Sequence, residues 1–265
     1  MDKIKQYDIL GVDVSAISME DALLAIEEFI KLKKNIYVCT CPINTILEAL
    51  RDVKTFKALR FASLVTPDGV PVVWFGRLKG LKNVKRVYGP DLMREMCRIS
   101  QDRKYRNYFY GSTPEVLDRL STNLRALFPG LMVGGMYSPP FREILPEEDA
   151  GIIEAINQSS SDILWVGLGS PKQDVWMYEH RDKLNVPVIV GVGAAFDFIA
   201  GTKKQAPKWM RKSALEWLFR LLSEPRRLWK RYILGNSLFI YLLAKEFIAK
   251  RNKCSIFKVS NSDKK

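Results

Sequence analysis

The stretch "DILWVGLGSPKQ" (residues 162–173) decides the fold class. Its first half is an almost unbroken apolar run that reaches glycine, and a serine, a proline and two polar residues follow. Runs of this kind are typical of strands that are buried on both faces of a parallel sheet. Glycine at the end of such a strand permits a tight turn, or close approach of the backbone to a ligand. The stretch therefore predicts a buried parallel strand that ends at a binding edge.

Other stretches repeat this pattern. "NYFYGSTP" (107–114) and "VPVIVGVGAAFD" (186–197) are also apolar runs that reach glycine, while "NIYVCTC" (35–41) and "LMVGGMY" (131–137) predict two more strands. Segments with helical spacing lie between them, at 45–59, 92–100 and 146–158. This alternation predicts an α/β layered domain over residues 1–202.

Three glycine turns at the ends of strands predict a crevice for a nucleotide or a sugar phosphate. Gly111, Gly169 and Gly193 would line it, and Ser170 with the N–H groups of a following helix would hold phosphate or ribose. The stretch "GVGAAF" is only part of a dinucleotide fingerprint, because Phe196 stands where the third glycine belongs. No acidic residue follows at the end of a clear next strand. A nicotinamide-dependent oxidoreductase therefore stays as the weaker alternative.

The composition indicates a cytosolic protein with reduced thiols. Cys39 and Cys41 lie inside an apolar run, and the four cysteines form no metal-ligand pattern. His180 is the only histidine, which excludes a zinc site built on histidines. The first residues do not resemble a secretory leader, so none is expected. With 265 residues, 47% of them hydrophobic, the chain is expected to form one large domain, or one domain with an appendage.

The excess of positive charge is confined to the end of the chain. The formal net charge is +13. Residues 1–202 contain 25 basic and 25 acidic residues, whereas residues 203–265 contain 17 basic and 4 acidic residues. This asymmetry predicts an anionic partner for the C-terminal segment.

Residues 203–250 are expected to form a basic amphipathic helical appendage that lies on an anionic membrane, with Pro225 separating two of its helices. Its apolar part, Tyr232–Ala244, covers 13 residues and is too short to span a bilayer. A helical pair that only packs on the domain is the alternative. A non-catalytic module that binds an anionic surface or nucleic acid through this segment is a further alternative function. Nucleic acid is not the expected partner, because the segment is too apolar and carries no such motif. Residues 251–265 are expected to be disordered.

Five motifs together resemble one known family. They are "TPDG" (66–69), "RVYGPDLM" (86–93), "LWVGLGSPKQDVWM" (164–177), "IVGVGAAFDFIAG" (189–201) and "APKWMRKSALEWLFRLLSEPRRLWKRY" (206–232). In this order and spacing they are similar to the WecG/TagA/CpsF glycosyltransferases. The resemblance implies a Rossmann-like core. It also implies inverting transfer of N-acetylmannosamine or a related hexose from a UDP-sugar to a polyprenyl-diphosphate-linked saccharide, in cell-wall, capsule or exopolysaccharide synthesis.

The same resemblance implies an enzyme on the cytoplasmic face of the cell membrane, peripherally attached through the appendage, and it allows a homo-oligomer. No cofactor is expected. Because the chain has no Asp-x-Asp motif and one histidine, transfer without a metal ion is expected. Arg211, Arg220 and Arg227 of the appendage would then stabilise the departing UDP and hold the acceptor.

Asp68 has two interpretations. Pro67-Asp68-Gly69 is a turn signal. The resemblance instead implies that Asp68 is the base that deprotonates the acceptor hydroxyl. The two roles are compatible, because the turn can present the carboxylate. Thr40 and Arg86 are the other catalytic residues that the resemblance implies, with Arg86 beside the diphosphate or the acceptor; a solvated surface arginine is the alternative for Arg86.

The pocket motif departs from the family pattern. The family usually has Thr-x-Asn where this chain has Thr40-Cys41-Pro42, so the donor sugar stays open. Asn44, two residues later, either supplies the missing carboxamide or caps the next helix. Gln173 matches a pocket residue of the family, although Ser170–Gln173 is also compatible with a routine helix start. Asp197 either binds ribose hydroxyls or caps local backbone.

Overall fold

The chain divides into two compact units, residues 1–205 and residues 206–265. The structure, a computed structural model, describes residues 4–213 and 215–245. The first unit contains all the strands of the described residues, alternating with helices. The predicted α/β core is therefore confirmed.

A parallel sheet of six strands forms the centre of the first unit. A hairpin, β1 (Gln6–Ile9) and β2 (Val12–Ser15), precedes it as a separate sheet. The six strands are β3 (Ile36–Cys41), β4 (Leu64–Pro67), β5 (Arg106–Gly111), β6 (Met132–Tyr137), β7 (Ile163–Gly167) and β8 (Val188–Gly191). Their order is β4-β3-β8-β7-β5-β6, and each neighbouring pair is parallel. The Rossmann-like fold is thereby confirmed, with all six carboxyl ends at one edge.

Helices of the first unit connect these strands. They are α1 (Met19–Lys31), α2 (Ile43–Ala49), α3 (Val53–Arg60), α4 (Val70–Leu78), α5 (Gly89–Arg103), α6 (Pro114–Leu127), α7 (Pro146–Gln158), α8 (Lys172–His180) and α9 (Ala195–Ala200). The hydroxyl of Thr113 caps α6 by accepting from the Val116 N–H, and Pro114 occupies its first turn. The helix begins here because the capping hydroxyl accepts a free N–H of the first turn, and proline needs no hydrogen-bond acceptor there.

Two local predictions were wrong. The segment 45–59 is not one helix: α2 ends at Ala49, and the Asp52 carboxylate caps α3. α5 begins at Gly89 rather than at residue 92, because proline fits inside the first turn of a helix. In the apolar run 186–196 the predicted buried strand is confirmed as β8, and α9 begins at Ala195.

Aromatic side chains fill the core around the sheet. Phe109 of β5 meets Phe196 of α9 edge to face, with ring centroids 6.0 Å apart. Trp165 of β7 is fully buried and donates from Nε1 to Oδ1 of Asn107 at 2.9 Å. Burial of such rings is strongly stabilising, and a satisfied indole N–H avoids the cost of an unpaired polar group. The central strands are therefore held firmly beneath the edge that carries the glycine turns.

Most of the described residues of the second unit are helical. It contains α10 (Lys208–Lys212), α11 (Glu216–Ser223), α12 (Pro225–Trp229), a π-helical turn (Lys230–Leu234) and helical residues 235–245. Pro225 opens α12, so the predicted break is present. Within the described residues, no helix combines the length and the apolar character needed to cross a membrane. Residues 251–265 lie outside the described residues, and the membrane role of the appendage stays a prediction.

Candidate active site

The three predicted glycine turns come together at the carboxyl edge of the sheet. β5, β7 and β8 are neighbours, and they end at Gly111, Gly167 and Gly191. Gly111 has a φ of +128°, and a Cβ there would lie 2.7 Å from the backbone of Gly167. Only glycine permits this close approach of two adjacent turns. The edge is thus lined by backbone, which is the surface that a phosphate or a nucleotide requires.

Asp68 stands at the same edge, directly after β4. Cys41 at the end of β3 pairs with Pro67, and the Asp68 N–H donates to the Cys41 carbonyl at 3.3 Å. Gly69, with a φ of +138°, then turns the chain into α4. The Asp68 side chain is 17% exposed, so the turn presents its carboxylate at a partly open position. Asp68 therefore belongs to the turn, and its catalytic role stays a prediction.

Arg86 pairs with Asp68. Its Nε and Nη2 both lie 3.2 Å from Oδ1 of Asp68, and its guanidinium stacks on the ring of Tyr88 at 4.2 Å. The segment is held beside β4 because the Val87 N–H donates to the carbonyl of Pro67 at 2.9 Å. Arg86 is therefore part of the edge, and the interpretation as a solvated surface arginine is wrong. A charge-assisted pair of this kind fixes the carboxylate in place.

Thr40 is engaged within the sheet. Its hydroxyl donates to the carbonyl of Gly191 at 2.8 Å, which joins β3 to β8, and the residue is buried. Asn44 lies in the first turn of α2, because the helix begins at Ile43 and Pro42 occupies the cap position. The interpretation of Asn44 as a helix cap is therefore wrong. Its interpretation as a pocket carboxamide stays a prediction.

Gln173 connects two of the glycine turns. Its Oε1 accepts from the N–H of Gly193 at 2.8 Å, and its Nε2 donates to Oγ of Ser170 at 3.1 Å. The side chain is fully buried in the first turn of α8. Gly169 also has a positive φ, +79°, with open space around the position of a Cβ. The amide of Gln173 thus shapes the edge by holding the turns after β7 and β8 against each other.

Asp174 is a residue of this region that the sequence reasoning missed. It is fully buried, and no group of residues 4–213 and 215–245 makes a hydrogen bond of ordinary geometry to either carboxylate oxygen. Burial raises the pKa of Asp174 to about 7, and the nearby Ser170 hydroxyl and Cys39 thiol offset only part of this effect. The pKa of Cys39 is also raised well above its usual value, mainly because the thiol is buried and secondly because of electrostatic repulsion from Asp174. The only local signal was an acid that directly precedes the apolar residues Val175, Trp176 and Met177.

Replacing Asp174 with asparagine should change how stability depends on pH. Below about pH 4 the carboxyl is protonated in both the folded and the unfolded chain, so it contributes no pH dependence. Between about pH 4 and pH 7 the folded chain holds the proton that the unfolded chain has lost, so wild-type stability falls as the pH rises. Over that range the free energy of unfolding of the wild type should fall by about 4 kcal/mol relative to that of Asp174→Asn, because each pKa unit corresponds to about 1.36 kcal/mol.

The measurement is urea unfolding of both proteins at pH 4.5 and pH 7.5. An exposed acid, changed in Asp102→Asn, serves as the matched control and should leave the wild-type pH dependence in place. Parallel curves for wild type and Asp174→Asn would show that the Asp174 carboxyl does not titrate in this range.

Asp197 is engaged locally. Its Oδ1 lies 3.5 Å from Nζ of Lys203 and 3.5 Å from the hydroxyl of Thr202, and its carbonyl accepts from the N–H groups of both residues. The contacts agree with the interpretation that the residue organises local backbone. Ribose binding by its carboxylate stays a prediction.

The appendage arginines are described only in part. Arg220 lies 3.9 Å from Glu216 on the same helix, and Arg211 lies in α10. The side chain of Arg227 lies outside the described residues. Among the described residues, no group of three or more His, Cys, Asp and Glu side chains is arranged to hold a metal ion. Transfer without a metal, and the roles of these arginines, stay predictions.

The fold and the edge define a class. This is a Rossmann-like α/β protein with an acidic residue, paired to arginine, at a glycine-lined ligand edge. The chain belongs to the glycosyl transferase WecG/TagA/CpsF family, whose model matches residues 7–253. The resemblance carried by the five motifs is thereby confirmed, and the family replaces the oxidoreductase alternative.

Relatives with assigned names give more detail. The chain is 29% identical to the N-acetylglucosaminyldiphosphoundecaprenol N-acetyl-beta-D-mannosaminyltransferase of Bacillus subtilis (strain 168). The match extends over 185 residues, which are 70% of each chain. It is 27% identical over 244 residues to the protein of the same name from Staphylococcus aureus (strain MW2), covering 91% of this chain and 92% of that one. The chain is thus similar along most of its length to transferases named for a lipid-linked acceptor.

Proposed function

We propose that this protein is an inverting glycosyltransferase. It moves N-acetylmannosamine or a related hexose from a UDP-sugar to a polyprenyl-diphosphate-linked saccharide, in the synthesis of a cell-surface polysaccharide such as teichoic acid. The proposal rests chiefly on one observation: Asp68 stands beside Arg86 at the glycine-lined edge of the sheet. Family membership and the names of the two relatives support the reaction class and the acceptor.

The proposed reaction is a single displacement. The acceptor hydroxyl gives its proton to the Asp68 carboxylate while its oxygen forms a bond to C1 of the donor sugar. The bond between C1 and the UDP oxygen breaks on the opposite face, and UDP leaves with the electron pair. The relatives are named for transfer of a β-linked sugar, which agrees with inversion of an α-linked nucleotide sugar.

Arg86 supports this reaction from its position. In the structure, its guanidinium holds one oxygen of Asp68 at 3.2 Å while stacked on Tyr88. A diphosphate offers the same guanidinium a stronger, doubly charged acceptor. We expect donor binding to draw Arg86 toward the diphosphate, which leaves the Asp68 carboxylate to the acceptor hydroxyl.

The departing UDP needs its charge stabilised. The turn of Gly169 and Ser170 precedes α8, and N–H groups at a helix start attract phosphate. Cations of the appendage, Arg211 and Arg220 among them, would add to this, in the role that a metal has in other transferases. The proposed transfer is therefore independent of metal ions. The basic appendage would also attach the enzyme to the anionic inner face of the cell membrane, where a polyprenyl-linked acceptor resides.

One experiment tests the proposal and identifies the donor. UDP release is measured with a panel of UDP-sugars and a synthetic polyprenyl-diphosphate-GlcNAc acceptor, in the presence of EDTA. We expect acceptor-dependent release with one donor; the panel is needed because Thr40-Cys41-Pro42 departs from the family motif. Release that requires added Mg²⁺ or Mn²⁺ would overturn metal independence. Absence of release with every donor would overturn the proposed acceptor.

A further inference from the structure

Helix α4 carries an apolar stripe on its outer face. Trp74 is 56% exposed and Leu78 is 84% exposed, and Pro71 and Phe75 lie on the same side at helical spacing. The opposite side of the helix is also apolar, because Val72 and Val73 are buried and Gly76 packs on the ring of Tyr7. A surface helix normally places polar residues on its outer face. The α4 surface, defined as Pro71, Trp74, Phe75 and Leu78, is therefore apolar where a water-facing helix would be polar.

Basic residues surround this surface. Residues 69–90 contain five basic and no acidic residues, although the segment 1–202 is neutral as a whole. Arg77, Lys79, Lys82 and Lys85 are exposed. Lys79 lies 4.9 Å from the ring of Phe75, so positive charge directly borders the apolar stripe. Tryptophan and leucine bordered by lysine and arginine form the combination that binds anionic lipid headgroups while inserting apolar side chains.

Both ends of this segment belong to the candidate active site. Asp68 immediately precedes the turn into α4, and Arg86 near the end of the segment is the partner of Asp68. We propose that the α4 surface docks the catalytic core directly on an anionic lipid bilayer, independently of the C-terminal appendage. This places Asp68 next to the headgroup layer. The inference rests on the proposed function in one respect: docking would bring the active site to an acceptor only if that acceptor is lipid-linked.

The charge pattern favours a membrane over a second copy of the chain. A symmetric dimer through the α4 surface would bring Arg77, Lys79, Lys82 and Lys85 of one copy against the same four cations of the other, with no acid among residues 69–90 to balance them. An anionic bilayer neutralises each cation, at about 1 kcal/mol per basic residue near the surface. A nucleic acid would satisfy the charges but would leave Trp74 and Leu78 exposed.

The test places a fluorophore on the surface of the full chain. Leu78→Cys is labelled with NBD in a Cys254→Ser background, because Cys39, Cys41 and Cys97 are buried. Vesicles of phosphatidylglycerol and phosphatidylcholine should shift the emission of the probe to the blue and protect it from a water-soluble quencher. The matched control is Leu24→Cys, an exposed helical leucine of α1, which should show neither effect.

Activity provides the second readout. The rate of transfer is measured with an acceptor embedded in vesicles and with a short-chain soluble acceptor, and the ratio of the first rate to the second is compared. The double change Trp74→Ser and Leu78→Ser should lower this ratio about tenfold, because the apolar side chains are buried only when the protein is on the bilayer. Leu24→Ser should leave this ratio unchanged.

An NBD probe that stays in water while the protein sediments with vesicles would overturn the proposal. So would a failure to sediment, or a blue shift that depends on protein concentration without vesicles, which indicates a second copy. If wild type transfers nothing even to the soluble acceptor, the proposed function fails, and the NBD result still decides the docking surface.

Discussion

Replacing Asp68 with asparagine is expected to lower kcat for sugar transfer about a thousandfold, within the range that a positioned general base contributes. The change keeps the size of the side chain and one oxygen that Arg86 can contact, but it removes the group that takes the proton. Binding of the donor should change little, because the arginine and the glycine turns remain in place. The loss should therefore appear in kcat rather than in KM.

The comparison separates the two interpretations of the Pro67-Asp68-Gly69 turn. Asparagine serves in turns as well as aspartate does, so a residue that only shapes the turn would tolerate the change. UDP release is measured for wild type, Asp68→Asn and the matched control Asp118→Asn, which changes an exposed acid of α6. We expect the control to match wild type. Substantial residual turnover in Asp68→Asn would assign the proton transfer to another group.

Replacing Gly111 with alanine is expected to destabilise the first unit by about 3 kcal/mol. A positive φ costs an alanine about 1–2 kcal/mol, and overpacking against fixed atoms typically costs about 1–3 kcal/mol. Here φ is +128°, and the new Cβ would lie 2.7 Å from the backbone of Gly167, which the adjacent strand holds in place. Since no side chain can move aside, the turns after β5 and β7 must separate, and donor binding should weaken as well.

Gly151 provides the matched control, because it lies inside α7 with open space where its Cβ would be. Gly151→Ala should stabilise the protein by about 0.5–1 kcal/mol, the usual gain of alanine over glycine in a helix. Urea unfolding followed by circular dichroism measures both variants. Similar free energies of unfolding for Gly111→Ala and wild type would mean that the two turns do not need their close approach.

Buried polar groups hold the strand ends of the candidate site together. Gln173 joins the turns of Ser170 and Gly193, and Thr40 joins β3 to β8. Asp174, next to Gln173 in α8, is a buried acid with a raised pKa. Functional sites commonly keep such groups at a cost in stability, because they fix the geometry of the groups that touch the substrate. The pH dependence expected for Asp174→Asn measures part of that cost.

The sequence by itself determined the class of fold, the glycine ends of the central strands and the family. Buried strands and helices leave periodic patterns over a few residues, and "TPDG" and "GSPKQ" are short motifs with their own spacing. The position of Asp68 after a strand was predictable for the same reason. So was the uneven distribution of charge, which depends on composition alone.

Only the tertiary structure decided which of these residues meet. Asp68 and Arg86 are 18 positions apart, and Gln173 reaches Gly193 across 20, through the order and register of strands that no local pattern specifies. The burial of Asp174 and the exposure of the α4 surface likewise depend on what the rest of the chain covers. The physical reason is that periodicity records whether a side chain is buried, whereas contacts between distant segments are set by how the sheet and helices pack together.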